Sequence, residues 1–236
     1  MKKIITLYKK EMAYYLNNPV GYVVIALFSV MANFFFMKDL FLRGDSSLRP
    51  FFDAVPWLFL VFIPAVGMRL LSEEKRTNTI ELLLTLPLSE LQIVVSKFLT
   101  LVSIVVISLI LTLSVPFLIS RLGVLATGEV GASYFGLILL GATFGAITMI
   151  FSALTKNQVV AFLLSLLTIF IFYIFGTTAL TSIVPGFFRE TLSFLTPSYQ
   201  YESFIKGLLD LRSVLYFASL IIAALFFTTL ILEKRQ

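Results

Sequence analysis

Apolar and polar positions fall in long blocks along this chain. Six stretches carry no charged residue: Met12–Met37, Ala54–Met68, Phe98–Ser120, Val130–Thr155, Asn157–Phe188 and Ser213–Leu232. A helix needs roughly 20 mostly apolar residues to cross a bilayer. Five of the stretches meet this as they stand, and the second does so once Phe51-Phe52 and Leu70-Leu71 sit at its rims. The pattern predicts an all-α polytopic membrane protein. It places six spans at 20–37, 51–71, 98–119, 132–154, 158–179 and 213–232, within one transmembrane domain covering 1–236.

The segments between spans have patterns of their own. Over 2–16, Ile4, Tyr8, Met12 and Tyr15 recur at helical spacing, while Lys2, Lys3, Lys9 and Lys10 take the other face. That is an interfacial helix, apolar side down, serving as an anchor or as a dock for a partner. Asn17-Asn18-Pro19 ends it. Pro56 and Pro64 invite kinks in span two. Gly141 and Gly145 have the spacing that lets helices approach closely, within the subunit or at a dimer seam. The fifth stretch would extend about 48 Å as one helix against a core of about 30 Å. Gly176-Thr177-Thr178 and Pro185-Gly186 are its natural breaks. Beyond them, Tyr201, Phe204, Ile205, Leu208 and Leu209 form one stripe opposite Glu202, Ser203, Lys206 and Asp210. The outer segment 185–212 is therefore read as re-entrant and amphipathic: a gate over an export path, or a loop packed on the bundle.

Composition narrows the chemistry. The chain is 59% hydrophobic and 13% charged, with a mean hydropathy of +1.00; a soluble domain is about a quarter charged. It has no cysteine and no histidine, which excludes disulfides and Cys/His zinc sites. No P-loop, HExxH or GxSxG motif occurs, so the chain is not expected to be an enzyme. The span interiors hold no charge for a proton relay; Asp53 and Arg69 lie at span edges. Energy for uphill movement would come from outside the chain. Eleven of the 18 Lys and Arg residues fall on the side of Lys2 to Lys10 and seven on the other. Positive charge favours the cytoplasmic side, so both termini are placed there. Lys9, Lys10 and Glu11 interrupt the N-terminal apolar run, which is read as retained and not as a signal peptide. The net charge of +5 suits anionic lipid and requires no nucleic acid.

The loop 72–97 has the densest signal. Glu73-Glu74-Lys75-Arg76 precedes Asn78-Thr-Ile-Glu81, which has the form of a capping box. The helix it starts must stop by Pro87. Ser89-Glu-Leu-Gln92 is a second capping box, opening the helix that runs past Lys97 into span three. Ile80, Leu83 and Leu84 are then apolar and exposed, which points to a partner or to the membrane surface.

The run from Glu73 to Pro87, with its continuation Ser89 to Lys97, resembles the signature loop of ABC-2 type permeases, the membrane subunits of ATP-driven exporters. The resemblance covers nearly the whole chain. It implies a coupling helix that docks on a separate ATPase, with Glu73, Glu74, Lys75, Arg76, Thr79, Ile80, Glu81, Leu83 and Leu84 as coupling residues. It implies two ATPase subunits, a second permease chain, identical or related, and surrounding lipid. ATP and magnesium would sit on the ATPase, and no cofactor on this chain. Tyr201, Phe204, Ile205, Leu208 and Leu209 would form the outer gate. The family often has glycine where Asn78 stands. The tail Tyr201 to Arg212 and the Glu-Lys-Arg-Gln end look like the gliding-motility-associated branch, in a bacterial inner membrane. The rival functions are an ATPase-independent transporter or channel, and a membrane-embedded enzyme or assembly scaffold. A copurifying ATPase would separate them.

Overall fold

The computed structural model describes residues 2–43, 48–79, 88–122, 126–177 and 194–234. Among these there is no strand, and the helices in chain order are α1 (Lys2–Asn17), α2 (Pro19–Arg43), α3 (Arg49–Gly67), α4 (Arg69–Arg76), α5 (Glu90–Thr112), α6 (Ser114–Leu122), α7 (Thr127–Leu154), α8 (Gln158–Ile174), α9 (Pro197–Ile205) and α10 (Leu211–Glu233). Low charge and long apolar runs leave the backbone no partner but itself, so helices dominate.

Among the described residues, five segments are long and apolar enough to cross a membrane: Gly21–Lys38, Arg49–Arg76, Glu90–Arg121, Thr127–Leu154 and Leu211–Glu233. The protein is a polytopic membrane protein. The expected fifth span behaves differently. Its helix, α8, has 17 residues, about 25 Å at 1.5 Å per residue, and gives way to a turn at Phe175–Thr177. A Cβ on Gly176 would come within 1.9 Å of the Thr196 hydroxyl and 2.3 Å of that of Ser198. The lead-in to α9 thus fills the space at the end of α8.

The helix α7 is the centre, packing on α3, α4, α5, α8, α9 and α10. Small residues allow this. A Cβ on Gly145 would lie 2.4 Å from a Leu101 methyl, and one on Gly141 would lie 2.9 Å from a Val105 methyl. The GxxxG face is therefore used inside the chain, against α5. Buried hydroxyls of Ser108, Thr148, Ser165 and Thr228 donate to the carbonyl four residues back, so they meet the apolar interior already satisfied. Large apolar side chains such as Val30 and Phe34 of α2, Leu163 and Leu167 of α8, and Ile222 and Phe226 of α10 face outward, as a bilayer-facing surface requires.

Candidate functional site at the base of the bundle

The base is the end where α1, the 69–79 segment and the start of α5 meet. Its first feature is a break in the rod α3–α4 at Met68. The Ser152 hydroxyl of α7 accepts the backbone N–H groups of Leu71 and Ser72, both at 3.1 Å, and donates to the Met68 carbonyl at 2.9 Å. A side chain inserted into the ladder is an established cause of a helix break. Pro64 lies in the last turns of α3 without interrupting it. One turn further on, the Lys75 ammonium donates to the carbonyl of Ala153, at the C-terminal end of α7, where a cation complements the helix dipole.

The second feature is Lys97. Its ammonium is 1% exposed and pairs with Glu74 of α4 at 2.7 Å and Glu11 of α1 at 3.0 Å. Three helices therefore converge on one buried cation. Removing one partner of a buried ion pair costs about 3–5 kcal/mol, so α1 is fastened tightly here. It is also tied by Tyr8, whose hydroxyl lies 2.9 Å from that of Ser103, and by Tyr15, whose hydroxyl donates to the Val66 carbonyl at 2.9 Å. This corrects the picture of α1 as a helix resting its Tyr8–Tyr15 side on lipid. That side faces the bundle, because the phenols find polar partners there. Beside the node lies an open cleft of about 270 Å³, walled by Lys10, Tyr14, Arg69, Glu73, Thr77 and Thr79 among others.

The predicted coupling residues divide. Glu73 and Glu74 are half-buried, Lys75 is buried, and Arg76 and Thr79 are exposed. The charged run is thus partly turned into the bundle, where Ala153 and Lys97 compensate its charges. Ile80, Glu81, Leu83 and Leu84 lie outside the described residues. Asn78 has φ 56°, two residues past the end of α4, which is the left-handed conformation of a residue closing a helix and not the extended one usual for an N-cap. The glycine that the family often has there would adopt it without strain. On the far side of the loop, the Ser89–Gln92 capping box is present in both directions. Sequence reasoning passed over Lys97, Glu11 and Ser152. Lys97 had a signal, as the last charge before 23 uncharged residues; Ser152 had none.

The opposite end holds the segment expected to lie on the outer side. Tyr201 and Phe204 are fully buried, Ile205 is half-buried, and Leu208 and Leu209 are 60% and 67% exposed. The single stripe is not realised, because α9 stops. Gly207, at φ 78°, closes it: its N–H bonds to the Phe204 carbonyl at 2.9 Å, and that of Leu208 to Ser203 at 3.0 Å, a Schellman ending. Tyr201 donates to the Phe52 carbonyl at 3.1 Å. Burial pushes its phenol well above the ordinary range, which keeps it a donor. Ser133 donates to the Phe204 carbonyl at 3.2 Å, and Ser213 to the Gln200 side chain at 2.8 Å. The arrangement is a docked helix, built to be held.

Among the described residues, no group of His, Cys, Asp and Glu could hold a metal ion. The base offers buried ion pairs, a capped helix start and an open cleft. No curated protein matches the chain. The family model described as ABC-2 family transporter protein matches residues 1–232, and the chain belongs to that family.

Proposed function

We propose that the chain is the permease subunit of an ATP-driven exporter and that it couples to its ATPase through the loop between α4 and α5. Proteins of this family are generally membrane-spanning permeases of ABC exporters, with ATP hydrolysis on a separate subunit. The observation that carries the coupling role is the Glu74–Lys97 pair at 2.7 Å. It joins the two helices on either side of the loop, so a push on the loop reaches α3, α5 and, through Ser152 and Ala153, α7.

In this reading six segments cross a bacterial inner membrane with the base on the cytoplasmic side, the segment that holds α8 being the sixth. Two permease chains, identical or related, flank a path and bind two ATPase subunits, which carry the ATP and magnesium. Ile80, Leu83 and Leu84 enter the ATPase groove, with Glu81 beside them in the same loop. Tyr201, Phe204 and Ile205 close the outer end, with Leu208 and Leu209 in the outer leaflet. The gliding-motility branch rests only on the tail from Tyr201 to Arg212 and the Glu-Lys-Arg-Gln end.

The test is affinity purification of the tagged chain from native membranes after mild cross-linking, with ATP turnover measured on the product. A stoichiometric ATPase is expected. A catalytically silent product free of any ATPase overturns the reading in favour of a passive pore.

A further inference from the structure

We infer that Lys97 is a positioning residue for coupling: its ammonium locks α1 to α4, so that the N-terminal helix and the base of the coupling loop move as one body. The inference rests on the coupling reading above.

The geometry is specific. Glu11 and Glu74 come from sequence positions 86 and 23 residues away from Lys97. Without a cation between them, two mostly buried carboxylates on separate helices would repel. Lysine has three donors and no acceptor, so one ammonium serves both and turns that repulsion into attachment. The rest of α1 agrees. Tyr8, Glu11 and Tyr15 are spaced i, i+3, i+7 and lie on one helical stripe. They bond to Ser103, Lys97 and the Val66 carbonyl respectively. A helix serving only as a lipid anchor would bury apolar side chains on that stripe. This one spends it on polar contacts with α5 and α3.

Lys97 also sits where motion would have to pass. The opposite side of α4 is already held to α7 by Ser152 and by Lys75. Lys97 adds α1 and α5 to the same short helix. A displacement of the loop then carries four helices in place of two.

The chain has no cysteine, so a Lys9→Cys/Thr77→Cys pair can be spin-labelled in nanodiscs without any ATPase. A single narrow distance is expected for the parent. Lys97→Gln and Glu11→Gln should broaden it, and Lys97→Arg should restore it. In the complex with its ATPase, Lys97→Gln should cut permease-dependent ATP turnover by roughly tenfold or more, the scale set by losing one hydrogen bond to a charged group. Lys97→Arg should recover most of it, which a purely structural loss of packing would not predict. If Lys97→Gln does not fold, Glu11→Gln carries the test, since it leaves the Lys97–Glu74 pair neutral and intact. Unchanged distances in the neutral variants overturn the inference, and so do broadened distances with undiminished turnover. Leu83→Asp, which acts on the loop alone, separates the two ideas. Loss of coupling in Leu83→Asp but not in Lys97→Gln sinks the role of Lys97 and leaves docking standing. The reverse pattern sinks docking through Leu83 and keeps the joint.

Discussion

The hydroxyl of Ser152 accepts the backbone N–H of Ser72 at 3.1 Å across 80 residues of sequence. With the N–H of Leu71 and the carbonyl of Met68 as its other partners, this one hydroxyl uses its donor and both acceptor sites. The rod α3–α4 is broken at that point, and α7 satisfies the groups the break exposes.

Ser152→Ala should therefore cost about 1–3 kcal/mol, the penalty for stranding buried backbone groups. Ser108→Ala is the control, since the Ser108 hydroxyl only returns to the Ile104 carbonyl of its own helix. Thermal unfolding in nanodiscs should show a clear loss for the first and little for the second. Equal effects would remove the special role of Ser152.

Topology can be tested on exposed positions. Thr79 is exposed at the base, and Lys206 at the opposite end is half exposed in a surface pair with Glu202 at 2.9 Å. A membrane-impermeant thiol reagent should label Thr79→Cys only from the cytoplasm and Lys206→Cys only from outside. Labelling of both from one side would refute the placement of the base.

The two left-handed positions should respond in opposite ways. Asn78→Gly should be neutral or slightly stabilising, because glycine takes φ 56° freely. Gly207→Val should destabilise by about 1–2 kcal/mol from backbone conformation alone. A Cβ there would also stand 2.9 Å from the Glu129 side chain, adding to the loss. Chemical denaturation of the purified protein measures both.

If α9 is riveted to the bundle, its buried residues carry its stability. Phe204→Ala should cost about 3–5 kcal/mol by cavity formation, and Tyr201→Phe about 1 kcal/mol for the lost bond to Phe52. Leu209→Ala, beyond the helix end and exposed, should change stability little while weakening any lipid contact. Similar losses at Phe204 and Leu209 would restore the continuous amphipathic stripe.

Coupling itself is tested at Leu83. A carboxylate forced into a desolvated groove costs several kcal/mol, so Leu83→Asp should abolish stimulation of the ATPase at unchanged permease abundance. Glu81→Ala, which removes a charge from the same loop without burying one, should act more mildly. Undiminished turnover in Leu83→Asp would end the docking role of this loop.

Much of this protein is local, and local features are legible in a sequence. Blocks of about 20 uncharged residues can exist only as helices in lipid, because every backbone group must be satisfied within its own segment. The helical class and four of the five crossings follow from that; the crossing at Arg49–Arg76 needed Phe51-Phe52 and Leu70-Leu71 at the rims of a shorter block. The Ser89–Gln92 cap is equally local, needing four consecutive residues. The resemblance of the 73–97 run to the ABC-2 loop led to the family that the match over residues 1–232 establishes.

What depends on pairing distant segments came only with the tertiary structure. Four lysines or arginines stand from residue 69 to residue 97, and nothing in their order says that Lys97 is the one enclosed by Glu11 and Glu74, or that Lys75 turns inward to the end of α7. The stripe from Tyr201 to Leu209 has correct helical periodicity, yet the chain takes a left-handed step at Gly207 and divides it. Gly176 sits against the Thr196 and Ser198 hydroxyls, leaving no room for a Cβ, a contact that hydropathy does not record. Periodicity records which side chains could share a face. Which face meets which helix is set by close packing and by the need of each buried charge to find its partner.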